Sequence, residues 1–188
     1  MTIARKYLFL SLILGILVTS TSCNRNEATF IVDTFVEMIV PAGISSDRIL
    51  TLRQAVPIPL SIALEINNVN ENDLVGIHGS LGFVAPRIMV ESDLNFINEI
   101  EIDVLDPVAV EDLGLQDPNV GGLEIFHYVQ RDFNSRTSID LTPSLPNVQE
   151  LVRDDMAYLQ IEMSFNSPPP ANFTMLYQLQ LGVFEETP

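Results

Sequence analysis

The 188-residue chain predicts an all-β fold: an antiparallel β-sandwich with one short helix near 147–154. Three observations carry this expectation. Apolar and polar residues alternate over several long stretches, the period of a strand with one buried face. Clusters of Pro, Gly and Asn separate these stretches at short intervals, as turns do. No repeat of 20 to 50 residues is present, which sets aside solenoids and propellers. One-sided polarity of this kind belongs to antiparallel sheets. A β-barrel fits the same pattern and is the alternative.

In chain order, residues 1–22 come first. Arg5 and Lys6 precede an apolar run from Tyr7 to Val18, followed by small polar residues up to Ser22 and then Cys23, the one cysteine. The run is shorter than the roughly 20 residues that cross a bilayer as a helix. Its order of positive, apolar and small residues is that of a cleaved secretory signal. Ser20-Thr21-Ser22-Cys23 resembles a bacterial lipobox, relaxed in that Ser20 stands where Leu is commonest. The resemblance implies cleavage before Cys23 and acylation of its thiol and new amine, palmitate included. Two or three acyl chains anchor stably at about 0.8 kcal/mol per buried CH₂, whereas one is marginal. The expected organisation is a lipoprotein signal peptide at 1–22, a lipidated tether at 23–29 and the β-domain at 30–188. The expected location is the bacterial cell envelope, anchored in the outer membrane by Cys23.

Phe30–Val40 alternates, with Phe30, Val32, Val36, Met38 and Val40 on one face and Asp33 and Glu37 on the other. Arg48 to Ala55 is ambiguous, and Pro57 and Pro59 confine the chain there to an edge or a crossing. Leu60–Ile66, LSIALEI, alternates and reads as a strand with Leu60, Ile62, Leu64 and Ile66 inward. Asn67 to Asp73 is a turn by composition. Leu81–Val84 and Arg87–Val90 are two short apolar runs split by Pro86, each a strand candidate. Phe96–Leu105 is a strand with Ile100, Ile102 and Val104 inward and Glu99, Glu101 and Asp103 outward. An acidic loop, 106–122, follows, of a length more often seen in functional than in connecting loops. Leu123–Gln130 and Ser138–Leu141 are strands. Pro146–Asp155 is the helix candidate, with Asn147 as N-cap and Val148, Leu151 and Val152 on one side. Ala157–Phe165 and Phe173–Phe184 alternate, and with Pro168-Pro169-Pro170 between them they read as a closing antiparallel hairpin.

The segment from NEIEIDVLDP through SIDLTPSLPNVQELVRDD to the last two strands, together with the lipobox, resembles small bacterial envelope lipoproteins of uncharacterised function that carry Ig-like β-sandwiches. It is also similar in outline to the late-embryogenesis type-2 sandwich. The resemblance covers about half the chain and implies a fold, not an active site.

Without its leader the chain keeps seven basic residues, all arginine, against 25 acidic ones, so its net charge moves from −16 to −18. Such a surface repels nucleic acid, which needs basic patches, and anionic lipid. Its ordinary consequence is solubility. The expected membrane partner is lipid through acylated Cys23 alone, and no protein partner is indicated. With no cysteine left for disulfides, about 165 residues must stabilise one core, a sufficient length.

Several constellations suggest chemistry, and in each the plainer reading is favoured. Asn68, Asn70, Asn72 and Asp73 echo a calcium loop, but the central Gly is missing and Gly79 stands where the bidentate Glu belongs. Asp106, Glu111, Asp112 and Asp117 are oxygen-rich and read as a solvated loop. His78 and His127 are too far apart in sequence for a zinc pattern. Ile77-His78-Gly79-Ser80 puts His beside Ser without a nucleophile elbow. Glu99 and Glu101 share an outer face, the normal solvated arrangement. Asn172-Phe173-Thr174 matches a glycosylation sequon, which carries little weight beside a bacterial leader. Phe126, Tyr128, Phe133, Phe173, Tyr177 and Phe184 form core more readily than an apolar pocket. The expectation is therefore a non-enzymatic binding or structural module with no metal and no cofactor. The alternative is a carrier holding an apolar ligand between its sheets.

Overall fold

A computed structural model describes residues 28–87, 93–132 and 134–185. The strands are β1 (Phe30–Val40), β2 (Leu50–Pro57), β3 (Leu74–Pro86), β4 (Ile97–Leu105), β5 (Gly122–Val129), β6 (Ile139–Pro143), β7 (Met156–Phe165) and β8 (Phe173–Glu185). Two short helices, α1 (Leu60–Asn67) and α2 (Pro107–Leu113), lie between them. Among the described residues no helix is long and apolar enough to cross a membrane.

The fold is all-β and antiparallel, in the order β1-β8-β3-β6-β5-β4-β7-β2. Short β6 joins the two halves. Its Ile139–Leu141 segment pairs with Val84, Phe83 and Gly82 of β3, and Thr142 and Pro143 pair with His127 and Phe126 of β5. The sheet therefore runs continuously and curls nearly into a barrel. The end strands β1 and β2 meet where Thr34 Oγ1 donates to the Pro57 carbonyl at 3.0 Å. Thr34 is a polar residue on the inward stripe of β1, and this bond satisfies it.

The inward stripes fill the interior. β1 alternates strictly between buried and exposed, and β7 buries Leu159, Ile161, Met163 and Phe165. Phe96 stacks on Phe165 and Phe173 with centroids 6.3 and 5.4 Å away. Tyr177 is fully buried, and its hydroxyl donates to Met38 Sδ at 3.5 Å. Burial pushes its ionisation far up. Crowding is tightest around β3. A Cβ on Gly79 would sit 2.5 Å from the Ile125 carbonyl oxygen, so only glycine lets the two backbones approach this closely.

Three local expectations are corrected. LSIALEI is helix α1, not a strand. Leu60 and Leu64 are buried one turn apart, while Ile62 and Ile66 are exposed. A spacing of four satisfies both periods, and the helix is selected by its ends. Asp155 accepts from Ser61 N at 2.7 Å and from the Ser61 hydroxyl, and Asn68 closes the other end in the left-handed conformation. These two bonds to Ser61 hold the Asp155 carboxyl below its usual range.

The helix expected at 146–155 is a single 3₁₀ turn, Gln149–Leu151. Asn147 does accept from Gln149 N at 3.0 Å, but its amide oxygen also takes Ile77 N at 3.0 Å. That ties the segment to β3 before a second turn can form. The run at 81–84 lies within a longer strand, β3, which extends from Leu74 to Pro86; of the run at 87–90, residues 88–90 lie outside the described residues. The last two strands are not a hairpin. β8 pairs with β1 and β3, whereas β7 pairs with β2 and β4. The acidic loop also holds α2, whose start is capped by Asp106 accepting from Val108 N at 2.9 Å.

Candidate functional site

The antiparallel register of β2, β7, β4 and β5 builds a polar outer face. Glu101 stands opposite Glu162 on one side and His127 on the other, and Asp103 stands opposite Gln160 and Glu124. Arg53 of β2 faces Gln160. Like charges directly across strands repel, so this face carries a built-in cost that its polar partners offset. Gln160 mediates. It accepts from Arg53 Nε at 2.6 Å and donates to Glu162 at 3.1 Å, with Asp103 Oδ2 at 3.4 Å. Arg53 also donates to the Leu115 carbonyl at 3.4 Å and to the Asp117 carbonyl. Gln116 Nε2 returns a bond to the Arg53 carbonyl at 3.3 Å. The acidic loop is thereby clamped over the sheet, forming an open cleft of about 530 Å³ between Arg53, Asp103, Gln116, Pro118 and Glu162.

Asp103 is half-buried there. Burial first, then the charges of Glu101, Glu162 and Glu124, push its carboxyl up to about 6, with Arg53 pulling the other way. Glu101 is also raised, by burial and then by Glu124, Glu162 and Glu99. Both carboxyls bind a proton more readily than an ordinary surface carboxylate, and the face around them is rich in hydrogen-bond acceptors, the chemistry of a surface that holds polar or cationic groups.

Beside the cleft, Glu124, His127 and Ser144 meet. His127 Nδ1 lies 3.0 Å from Glu124 Oε1 and 3.4 Å from Ser144 Oγ, and the Ser144 hydroxyl donates to Glu124. A catalytic triad needs the serine on one ring nitrogen and the carboxylate on the other. Here both crowd the same nitrogen, and Ser144 is bound to the acid rather than to the base.

No family model matches the chain, and no curated protein is detectably similar to it. The functional reading therefore rests on its own residues.

The residues singled out by sequence are dispersed. Asn70 caps the short 3₁₀ turn Glu71–Asp73 through Asn72 N at 3.0 Å, so the calcium-like string serves as a turn. Asp117 accepts from Asn119 N at 2.8 Å, and Asp106 caps α2. Among the described residues no three His, Cys, Asp or Glu side chains are grouped to hold a metal ion. His78 packs edge-on against Phe184 with centroids 5.1 Å apart, and its Nδ1 lies 2.9 and 3.1 Å from the Leu145 and Pro146 carbonyls. Asn172 accepts from Ala42 N at 2.7 Å, tying two loops together. Phe126, Phe173, Tyr177 and Tyr128 are buried among core residues. The Tyr128 hydroxyl reaches out to accept from Arg136 at 2.8 Å. Phe184 is half-buried, its ring packed against His78. Cys23 and Phe133 lie outside the described residues. Sequence reasoning did not find Arg53, Gln160, Glu162, Glu124 or Ser144 as neighbours. Four of them sit at outward strand positions and Ser144 just follows β6, so only the pairing of distant strands brings them together.

Proposed function

We propose that the protein is a lipid-anchored component of the bacterial cell envelope, held in the outer membrane through acylated Cys23. Its β-domain acts as a non-enzymatic binding or structural module. The observation that carries this reading is the leader, which ends in a cysteine just seven residues before the first strand opens at Phe30. Two features of the domain agree with it. Among the described residues the interior is occupied by side chains, Phe126, Phe173 and Tyr177 included, which leaves the carrier reading without a supporting observation. The Ser144-His127-Glu124 grouping has its hydroxyl on the carboxylate, the wrong partner for nucleophilic attack. The binding surface favoured here is the Arg53–Gln160–Asp103 cleft.

Metabolic labelling with a palmitate analogue tests the anchor. The parent chain is expected to take up label and partition into detergent, and Cys23→Ser to do neither. Equal labelling of the two would overturn the reading.

A further inference from the structure

We propose that the end of the domain where β1 begins is a membrane-contact rim, seating Val75, Leu145 and Phe184 against an uncharged or zwitterionic lipid surface. This rests on the lipid-anchor reading above and adds to it a second contact besides the acyl chains.

Three strand ends assemble the rim. β1 opens at Phe30 opposite Val183 of β8, and β3 opens at Leu74 opposite Glu185. A register shift between Leu74 and Gly76 pushes Val75 outward, where it is 53% exposed. The turn after β6 brings Leu145 to the same place, 83% exposed, the most exposed large apolar side chain among the described residues. That turn is held, not loose: His78 Nδ1 contacts the carbonyls of Leu145 and Pro146, and Asn147 spans Ile77 N and the Val75 carbonyl. Ala28, Val75, His78, Leu145 and Phe184 line one open cleft of about 530 Å³. An isolated exposed apolar residue needs no explanation, but a fixed apolar group of this kind marks a contact surface.

The occupant follows from where the chain goes next. Ala28 is itself part of the cleft, and Cys23 is five residues before it. Five residues reach at most about 18 Å when fully extended. An acylated Cys23 therefore brings this end of the domain to the bilayer. The opposite end lies an eleven-residue strand away, about 35 Å at strand rise. Charge selects the lipid. The stretch Thr142–Val148 that presents Leu145 holds no acidic or basic residue, while Glu71, Asp73 and Glu185 around it oppose an anionic surface.

The chain contains no tryptophan, so an introduced one reports alone. Leu145→Trp at the rim and Ile49→Trp, exposed at the opposite end, would be made in the full lipidated chain. Each would be reconstituted into vesicles of brominated or ordinary phosphatidylcholine. The Leu145→Trp emission is expected to shift to the blue and to lose roughly half its intensity to the brominated lipid, as a ring at the headgroup boundary does. The Ile49→Trp emission should be unchanged. If both variants co-sediment with vesicles and Leu145→Trp is no more quenched than Ile49→Trp, the rim is overturned and the anchor stands. If the parent carries no acyl chain, the anchor reading fails and the rim falls with it. Matching thermal melts of the two variants and the parent would exclude misfolding as the cause of either result.

Discussion

Replacing Asp103 by Asn should stabilise the protein at neutral pH and do much less in acid. Asp103 sits between Gln160 and Glu124 on adjacent strands, with Glu101 and Glu162 nearby, and only Arg53 opposes their charge. Its carboxyl is pushed from the ordinary 3.8 to about 6. A carboxyl moved this far up binds its proton more tightly in the fold than in the unfolded chain. The favourable contribution is thus fully present below the unfolded value and is lost as pH rises through about 6. Without screening, the ionised fold would bear a penalty of about 3 kcal/mol. The side chain is only half-buried, so solvent reduces this to about 1 kcal/mol. Asn keeps the shape and can still accept from Gln160. In the soluble form beginning at Asn24, Asp103→Asn should raise the melting temperature by about 2–4 °C at neutral pH. The gain should shrink by more than half near pH 4.5. Urea unfolding at the two pH values gives the free energies. A variant that is less stable than the parent at neutral pH, or equally shifted at both pH values, would refute the electrostatic account. It would mean that the Gln160 bond outweighs the repulsion.

Ile161 is fully buried between Leu52 and Ile102, and Ile161→Asp should cost several kcal/mol, a large part of a typical 5–15 kcal/mol stability; a urea midpoint near the parent's would contradict its inward position. Gln160→Asp places a further carboxylate beside Asp103 and Glu162, so its melting temperature should fall more at pH 8 than at pH 5. Gly79→Ala places a methyl 2.5 Å from the Ile125 carbonyl and should cost about 1–3 kcal/mol by overpacking; unchanged thermal unfolding would deny the close approach of β3 and β5. Asp155→Ala removes the acceptor for Ser61 at the start of α1 and should cost about 1 kcal/mol, with amide exchange accelerated in residues 60–67 first.

Much of the sheet was legible because a strand with one buried face records that burial in its own residues. β1, β4, β5, β7 and β8 fall where alternation placed them, within a residue or two. β3 was legible only at its end, since Gly76, Gly79 and Gly82 and two register shifts interrupt the apolar stripe. α1 was misread because Leu60 and Leu64 fit both periods, and the residue that decides between them, Asp155, is 94 positions away from Ser61. The polar cleft was invisible for the same reason. Arg53, Asp103 and Gln160 belong to three strands far apart in sequence, and nothing local marks them as neighbours.

The failed hairpin shows where alternation stops being informative. It fixes which face of β7 and β8 is buried, and both faces are as expected. It does not fix which strand lies alongside, because any strand with an inward stripe can take that place. The connection held the missing clue. A tight hairpin needs a two-residue turn with glycine or asparagine in left-handed conformations, whereas residues 166–172 contain three successive prolines that cannot adopt them. Instead the segment spans the open end of the barrel. The Pro169 carbonyl accepts from Gly43 N at 2.9 Å, and Asn172 accepts from Ala42 N at 2.7 Å. Both partners belong to the loop leaving β1, the strand that β8 then joins. The proline segment thus carries the chain across to β1, at the other edge of the curled sheet. That placement puts the end of β8, and Phe184 with it, next to the start of β1 and the segment leading back to Cys23.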